Sequence, residues 1–310
     1  MSALIDKRLV FVAGKGGVGR TTVAASLGLA AARAGKRTIV CEVARQERVS
    51  QAFKREGVGF NEAELAPNLY AISIDPQESL EEFLIDQVGS RRIAGLLFHN
   101  RIFEYLAAAT PGLRELATIG KVWELAQLER RKRSDSPYDL VIVDLPATGH
   151  GLAALRTPRT FGEIARVGPV RRKADLIDSF IRDPRQTGVV AVALPEEMPV
   201  AETVEFAGAL ERELGLRLEA TVMNAMLPER FSGADAEAIE RVNGGHGAPP
   251  VAAALRAALS EHRRARAQRA QLRRLKSGLD GPVVTLPYLF EPDLGLEDWE
   301  RLSSELERRL

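Results

Sequence analysis

Short, continuous apolar runs recur along the chain, separated by stretches in which apolar residues return every three or four positions. The runs fall at 9–13, 38–43, 69–74, 140–144, 189–194, 220–223 and 282–286. Most are rich in Val and Ile and lack the in–out alternation of a half-exposed strand, which predicts parallel strands covered on both faces. With helical patterns between them, the expected fold class is α/β: a doubly wound, mostly parallel sheet with helical insertions on one side.

A parallel crossover needs only about a dozen residues, and two intervals exceed that by far. One carries Leu80, Phe83 and Leu84, then Ile93, Leu96, Leu97, Ile102, Phe103 and Leu106. It breaks at Pro111-Gly112 and resumes a helical pattern from Leu113 to Leu128. The other carries Phe161, Ile164 and Val167, then Leu176, Ile177, Phe180 and Ile181. The pattern predicts one domain over 1–310, with helical insertions at 79–133 and 159–185 forming a small helical subdomain. The basic run Arg130-Arg131-Lys132-Arg133 and the segment from Gly244 to Pro250 read as exposed loops.

The first apolar run leads into Gly14-Lys15-Gly16-Gly17-Val18-Gly19-Arg20-Thr21-Thr22, and a helical stretch follows. Strand, glycine loop and helix in that order wrap a phosphate with backbone N–H groups, and the helix N-terminus adds its positive end. Gly14, Gly16, Gly17 and Gly19 let the backbone approach with no Cβ in the way. Thr21 is placed to offer its hydroxyl to Mg²⁺, and the N–H groups of residues 19–22 face the phosphates. A ligand-free turn needs neither four glycines nor Lys15 with Thr21-Thr22. Two features are unusual: the lysine at the loop's second position, and Arg20 where the phosphate lysine is expected.

A second motif is Tyr138-Asp139-Leu140-Val141-Ile142-Val143-Asp144. An acid closing a buried apolar strand is expensive unless it has a task, and ligands of open α/β sheets sit at the strands' carboxyl ends. Asp144 is expected to orient Mg²⁺ through its water shell. Residues 145–151 are expected to form a polar, flexible turn beside the terminal phosphate.

The glycine loop with Lys15 resembles the deviant P-loop of the SIMIBI class of ATPases. Asp144-Leu145-Pro146-Ala147-Thr148-Gly149-His150 resembles the D-x-A-P-T-G-H switch of the branch that holds the arsenical-pump ATPase and the tail-anchored-protein targeting ATPase of the guided-entry pathway. Leu69-Tyr70-Ala71-Ile72-Ser73-Ile74-Asp75-Pro76, Leu194-Pro195-Glu196-Glu197, Met223-Asn224 and Leu286-Pro287-Tyr288-Leu289 are similar to further elements of that family. The resemblance implies a Mg²⁺-dependent ATPase that binds ATP and ADP at residues 14–22, Val18 included, and works as a homodimer or as a heterodimer with a paralogue. It implies that Lys15 reaches the nucleotide of the opposing subunit. Thr21 would bind Mg²⁺, with Asp144 beside it as anchor of the second switch, and Thr22 would support the α-phosphate side. Asn224 would hydrogen-bond adenine with Pro287 nearby, and Pro146, Thr148, Gly149 and His150 would form the switch. A protein client on the helical insertions is implied as well.

Two departures bear on activity. Arginine's planar fork at position 20 is not a lysine point charge, which implies nucleotide binding with slow hydrolysis. The family's first switch, D-P-A-H-[NS], is replaced by Glu42-Val43-Ala44-Arg45-Gln46-Glu47. Glu42 is a candidate base for the attacking water, although displacing a reacting group by an ångström can cost about a hundredfold. It is equally suited to capping the loop that follows. Three readings stand: a dimeric switch ATPase, a weakly or non-hydrolysing subunit paired with an active paralogue, and a partitioning or cell-division type ATPase. The last usually carries a membrane-binding tail. Here Trp299, Leu302, Leu306 and Leu310 form a narrow stripe better suited to docking on the domain.

Composition removes other classes. Lys and Arg number 43 against 42 Asp and Glu, a net charge of +1, which gives no case for nucleic acid or membrane as partner. The basic stretch from His262 to Lys276 lacks stacking aromatics and reads as a solvated helix face. Cys41 is the sole cysteine. It excludes an internal disulfide and the roughly three thiolates that arsenite requires. The C-x-x-C of the targeting branch is absent, and His262 near that region reads as a surface residue. No run reaches the ~20 apolar residues of a membrane span, and residues 1–8 lack a signal peptide's apolar stretch, so a cytoplasmic protein without stable membrane insertion is expected. With four methionines, a Met-rich client groove is not expected. Leu96-Leu97-Phe98 and Ile102-Phe103 either line a small groove or pack the helical layer against itself.

Overall fold

The computed structural model describes residues 2–43, 47–88, 112–129, 136–165, 167–243, 249–291 and 294–310. The strands are β1 Leu9–Gly14, β2 Thr38–Val43, β3 Ala63–Ala66, β4 Leu69–Ile74, β5 Leu140–Asp144, β6 Thr187–Ala193, β7 Leu218–Met226 and β8 Val283–Pro287. They form one sheet in the order β3-β4-β2-β5-β1-β6-β7-β8. Among the described residues, only β3 runs antiparallel to its neighbour. All seven apolar runs are strands. β3 had no sequence signature: it is a four-residue edge strand, half of it outside the core, held by pairing to β4.

The helices are α1 Ser2–Ile5, α2 Arg20–Arg33, α3 Arg48–Ala52, α4 Pro76–Val88, α5 Leu113–Leu125, α6 Thr148–Ile164, α7 Pro169–Ile181, α8 Glu197–Leu214, α9 Gly233–Asn243, α10 Pro249–Gly278 and α11 Leu296–Arg309. They cover both faces of the sheet. Alternate residues of a strand point to opposite faces, and β1 divides accordingly. Val10 and Val12 join the cluster of α2 and α11, with Val23, Leu27, Leu302 and Leu306. Leu9, Phe11 and Ala13 join the cluster of α5 to α8, with Ile119, Val122, Leu155 and Ile177. The described parts of the long intervals 79–133 and 159–185 therefore include helices packed directly on the sheet. The groove residues named above, 96–98 and 102–103, and the basic run 130–133 lie outside the described residues.

The winding reverses at β1, which lies between β5 and β6. Val12 stands opposite Asp144, and Asp144 opposite Glu42. The glycine loop and both acidic strand ends thus meet at the carboxyl edge of the sheet, where the switch point of such folds lies. Helix α2 can approach closely because it is built from small residues: a Cβ on Gly28 would lie 2.6 Å from Val40 Cγ2.

The C-terminal helix α11 is docked rather than free. Trp299, Leu302 and Leu306 are buried against the α2 face, and Trp299 meets Phe53 edge-on at 5.9 Å between ring centroids. Among the described residues no helix is long and apolar enough to cross a membrane. Truncating a fully buried leucine usually destabilises by about 2–5 kcal/mol. Leu306→Ala should lower the unfolding free energy in urea by that amount.

Candidate functional site

The glycine loop is shaped by three tight constraints. A Cβ on Gly14 would stand 2.5 Å from the Val192 carbonyl oxygen, and one on Gly19 would stand 2.2 Å from Asn224 Nδ2. Gly17 and Gly19 both have positive φ, 82° and 89°, which side chains rarely adopt. A Cβ on Gly16 or Gly17 would meet nothing within 4 Å, so this part of the loop is open. The N-terminus of α2 follows directly, and its unpaired N–H groups favour an anion there.

Beside the loop, Thr21 Oγ1 donates to Asp144 Oδ2 at 2.5 Å. Asp144 is 5% exposed, and its Oδ1 has no hydrogen-bond partner among the described residues. The nearest cation is Arg20, with Nε 4.0 Å from that oxygen. Burial pushes the Asp144 carboxyl above its usual range, opposed by the Thr21 hydrogen bond and by the charges of Arg20 and Arg48. Arg20 is itself mostly buried, which lowers its pKa, while Asp144 opposes that shift. Its guanidinium donates to the Leu145 carbonyl, so it bridges the start of α2 to the segment after β5.

Glu42 is fully buried at the end of β2. It accepts from the backbone N–H groups of Arg48 at 2.9 Å and Val49 at 3.1 Å, one on each oxygen. It thus caps α3, just beyond residues 44–46, which lie outside the described residues. Burial raises its pKa to about 7; the two backbone hydrogen bonds oppose that rise, the Asp144 charge adds to it and Arg48 counters it. Arg48, unremarkable in the sequence, is therefore the exposed cation whose field reaches Glu42, Asp144 and Arg20 together.

Lys15 turns to its own chain: its Nζ lies 2.6 Å from Glu202 Oε1 on α8. Nothing in the sequence marks Glu202, which is 187 positions away. Asn224 donates from Nδ2 to the Val18 carbonyl at 3.0 Å. It sits where the β7–β8 register slips, next to Ala225 with a φ of 57°. Pro287 ends β8 opposite Met226, and Thr22 lies in the first turn of α2.

The segment after Asp144 differs from the flexible turn expected. Helix α6 begins already at Thr148, and His150 and Gly151 donate their N–H groups to the Ala147 carbonyl. The reason is the apolar repeat that follows: Leu155 is fully buried and Leu152 packs partly against the same sheet face, which carries the helix back to residue 148. Pro146 is half-buried, and Gly149 and His150 are exposed. Behind this segment, a cavity of about 310 Å³ is lined by Val43, Pro76, Ile119, Leu145, Pro146 and His150, among others.

The residues fit a nucleotide with Mg²⁺. The loop offers an open cradle, and a buried carboxylate oxygen without a partner stands beside a threonine hydroxyl. Among the described residues no cluster of three or more His, Cys, Asp or Glu forms a metal site. Mg²⁺ keeps several waters and takes one or two protein ligands, which the Thr21 hydroxyl and the Asp144 carboxylate can supply. His262 donates its Nδ1–H to the Phe231 carbonyl, 2.9 Å away, a structural bond.

A strand–glycine-loop–helix at the switch point, with a Thr–Asp pair beside it, defines a P-loop nucleotide-binding protein. The sequence profile of the anion-transporting ATPase family matches residues 7–173, and the chain belongs to that family. It is 29% identical over 241 residues to ATPase BagA of Mycobacterium tuberculosis, covering 76% of this chain and 69% of that one. It is 25% identical over 315 residues to a Halobacterium salinarum protein named for an arsenical pump-driving ATPase, covering 97% of this chain and 44% of that one. It is 29% identical over 162 residues to ATPase GET3 of Podospora anserina, covering 51% of this chain and 46% of that one.

A carboxyl with a raised folded-state pKa binds its proton more tightly in the native protein, so stability falls as pH rises between the unfolded and folded values. For Glu42 that window runs from 4.5 to about 7. Relative to Glu42→Gln, which keeps one acceptor for the α3 cap, the wild type should lose about 3 kcal/mol across it. Urea unfolding at a series of pH values checks this, and parallel curves for the two proteins would contradict the assignment.

Proposed function

We propose that this chain is a cytoplasmic, Mg²⁺-dependent ATPase working as a dimeric switch, in which nucleotide state is passed to a partner or client protein. The observation that carries the reading is the buried Thr21–Asp144 pair beside an open glycine cradle. The loop amides and the α2 N-terminus bind the phosphates. Thr21 would hold Mg²⁺ directly and Asp144 through water. Bound Mg²⁺ supplies neutralisation of charge on the phosphate oxygens. Asn224 and Pro287 contact the adenine side, and Lys15 reaches the nucleotide of a partner subunit.

Two side chains tie binding to motion. Arg20 holds the Leu145 carbonyl through one N–H, and turning its guanidinium to phosphate would free the segment carrying Pro146, Thr148, Gly149 and His150. Glu42 has a pKa of about 7, suited to a general base at neutral pH, but both its oxygens hold the start of α3. Each oxygen already holds one backbone N–H, so taking a proton from water would weaken the cap at the start of α3.

The same two observations favour a second reading, a nucleotide-binding subunit of slow or no turnover beside an active paralogue. ATP hydrolysis with and without Mg²⁺ separates the readings. Under the first, the wild type turns over ATP only with Mg²⁺, Thr21→Ala abolishes it, Glu42→Gln lowers it about a hundredfold and Arg20→Lys raises it. Bound ATP with no turnover in any variant replaces the first reading by the second, and absence of nucleotide binding removes both.

A further inference from the structure

Lys15 and Glu202 come from parts of the chain with different mechanical character. Glu202 sits on α8, an 18-residue helix anchored to the sheet through Val200, which packs with Ala193 and Met223. Its neighbour Thr203 is buried and bonded to the Pro199 carbonyl at 2.7 Å. The acceptor is therefore fixed. Lys15 sits at the head of the open loop, before Gly16 and Gly17, where an added Cβ would meet no described residue within 4 Å. The lysine, not the glutamate, is the partner that has come to a set position.

The ion pair is short, 2.6 Å, and both side chains are about one-third exposed. Pairs of this kind hold weakly because water competes for both charges. A polyphosphate carries several negative charges against the single charge of Glu202, so the lysine transfers to it readily once it is within reach. A strong, buried pair would have kept Lys15 permanently; an absent one would have left a flexible cation free over the loop.

We propose that Glu202 holds Lys15 over its own protomer in the nucleotide-free state, and that the phosphates of a nucleotide at a dimer interface take Lys15 away from it. The inference rests on the two-chain reading given above for its second half only. Glu202 is then a positioning residue: it keeps the trans-acting lysine out of the interface until nucleotide is present, and it restores the resting position when phosphate leaves.

Two measurements on the full chain test the halves separately. In the first, nucleotide-free wild type, Glu202→Gln and Glu202→Asp are treated with a limiting amine-acylating ester. Lys15 modification is read by peptide mass spectrometry relative to the exposed Lys54. Loss of a weak pair should raise Lys15 labelling about two- to fivefold in Glu202→Gln, with Glu202→Asp near wild type. Equal labelling in all three overturns the proposal, whatever the assembly state. In the second, sedimentation velocity with Mg²⁺ and a non-hydrolysable ATP analogue should show Glu202→Gln dimerising at two- to fivefold lower protein concentration than wild type. Weaker dimerisation of Glu202→Gln overturns the holding role in favour of one that orients Lys15 in the active state. Raised labelling with no dimer in any protein leaves the hold standing and removes the two-chain reading instead.

Discussion

The arrangement depends on one carboxylate taken out of water. Asp144 closes a strand whose every other residue is apolar and buried, and it is exposed to only 5%. Such a group is tolerable only if its oxygens are spoken for. One is, by Thr21; the other faces Arg20 at the outer limit of an ion pair. Thr21 and Arg20 are both in the first turn of α2, so the same need that keeps Asp144 paired also fixes where the helix begins and hence where the glycine loop must turn. Site geometry and local stability therefore have a common origin.

The substitution of arginine for the expected lysine acquires a concrete meaning in this setting. A guanidinium has five N–H donors in a rigid plane, enough to serve Leu145 with one edge while its charge offsets Asp144. An ammonium is a more compact donor without that fork. Arg20 thus acts in the protein as a strut between the start of α2 and the segment after β5. The weakly held Lys15 and the doubly occupied Glu42 have the same character: each charged group expected at the chemistry is already engaged by the protein itself. These three side chains are held within the protein, while the glycine loop and Asp144 Oδ1 are left open beside them.

Much of this was legible in the sequence, for reasons that can be stated. The strands at 38–43, 69–74 and 140–144 coincide with their apolar runs because parallel strands covered on both faces need apolar residues at every position. Asp144 stood out because it breaks such a run. The edge strand β3 was not legible, since its conformation comes from pairing with β4 rather than from its own four residues. Neither was the helical start at Thr148, where glycines and a histidine suggest a loop until Leu152 and Leu155 are seen to hold the helix on the sheet. Glu202 could not have been found at all: its relation to Lys15 exists only because β6 lies next to β1.

Ala225 points to a further property of the fold. A non-glycine residue at a φ of 57° is held there by its surroundings, and here the slip between β7 and β8 does the holding. The reward for that distortion is Asn224, fastened to the Val18 carbonyl in the middle of the glycine loop. The outer edge of the sheet thus meets the glycine loop twice, through that amide and through the parallel pairing of β7 to β6 and β6 to β1, so a change of shape at either edge has two routes to the other.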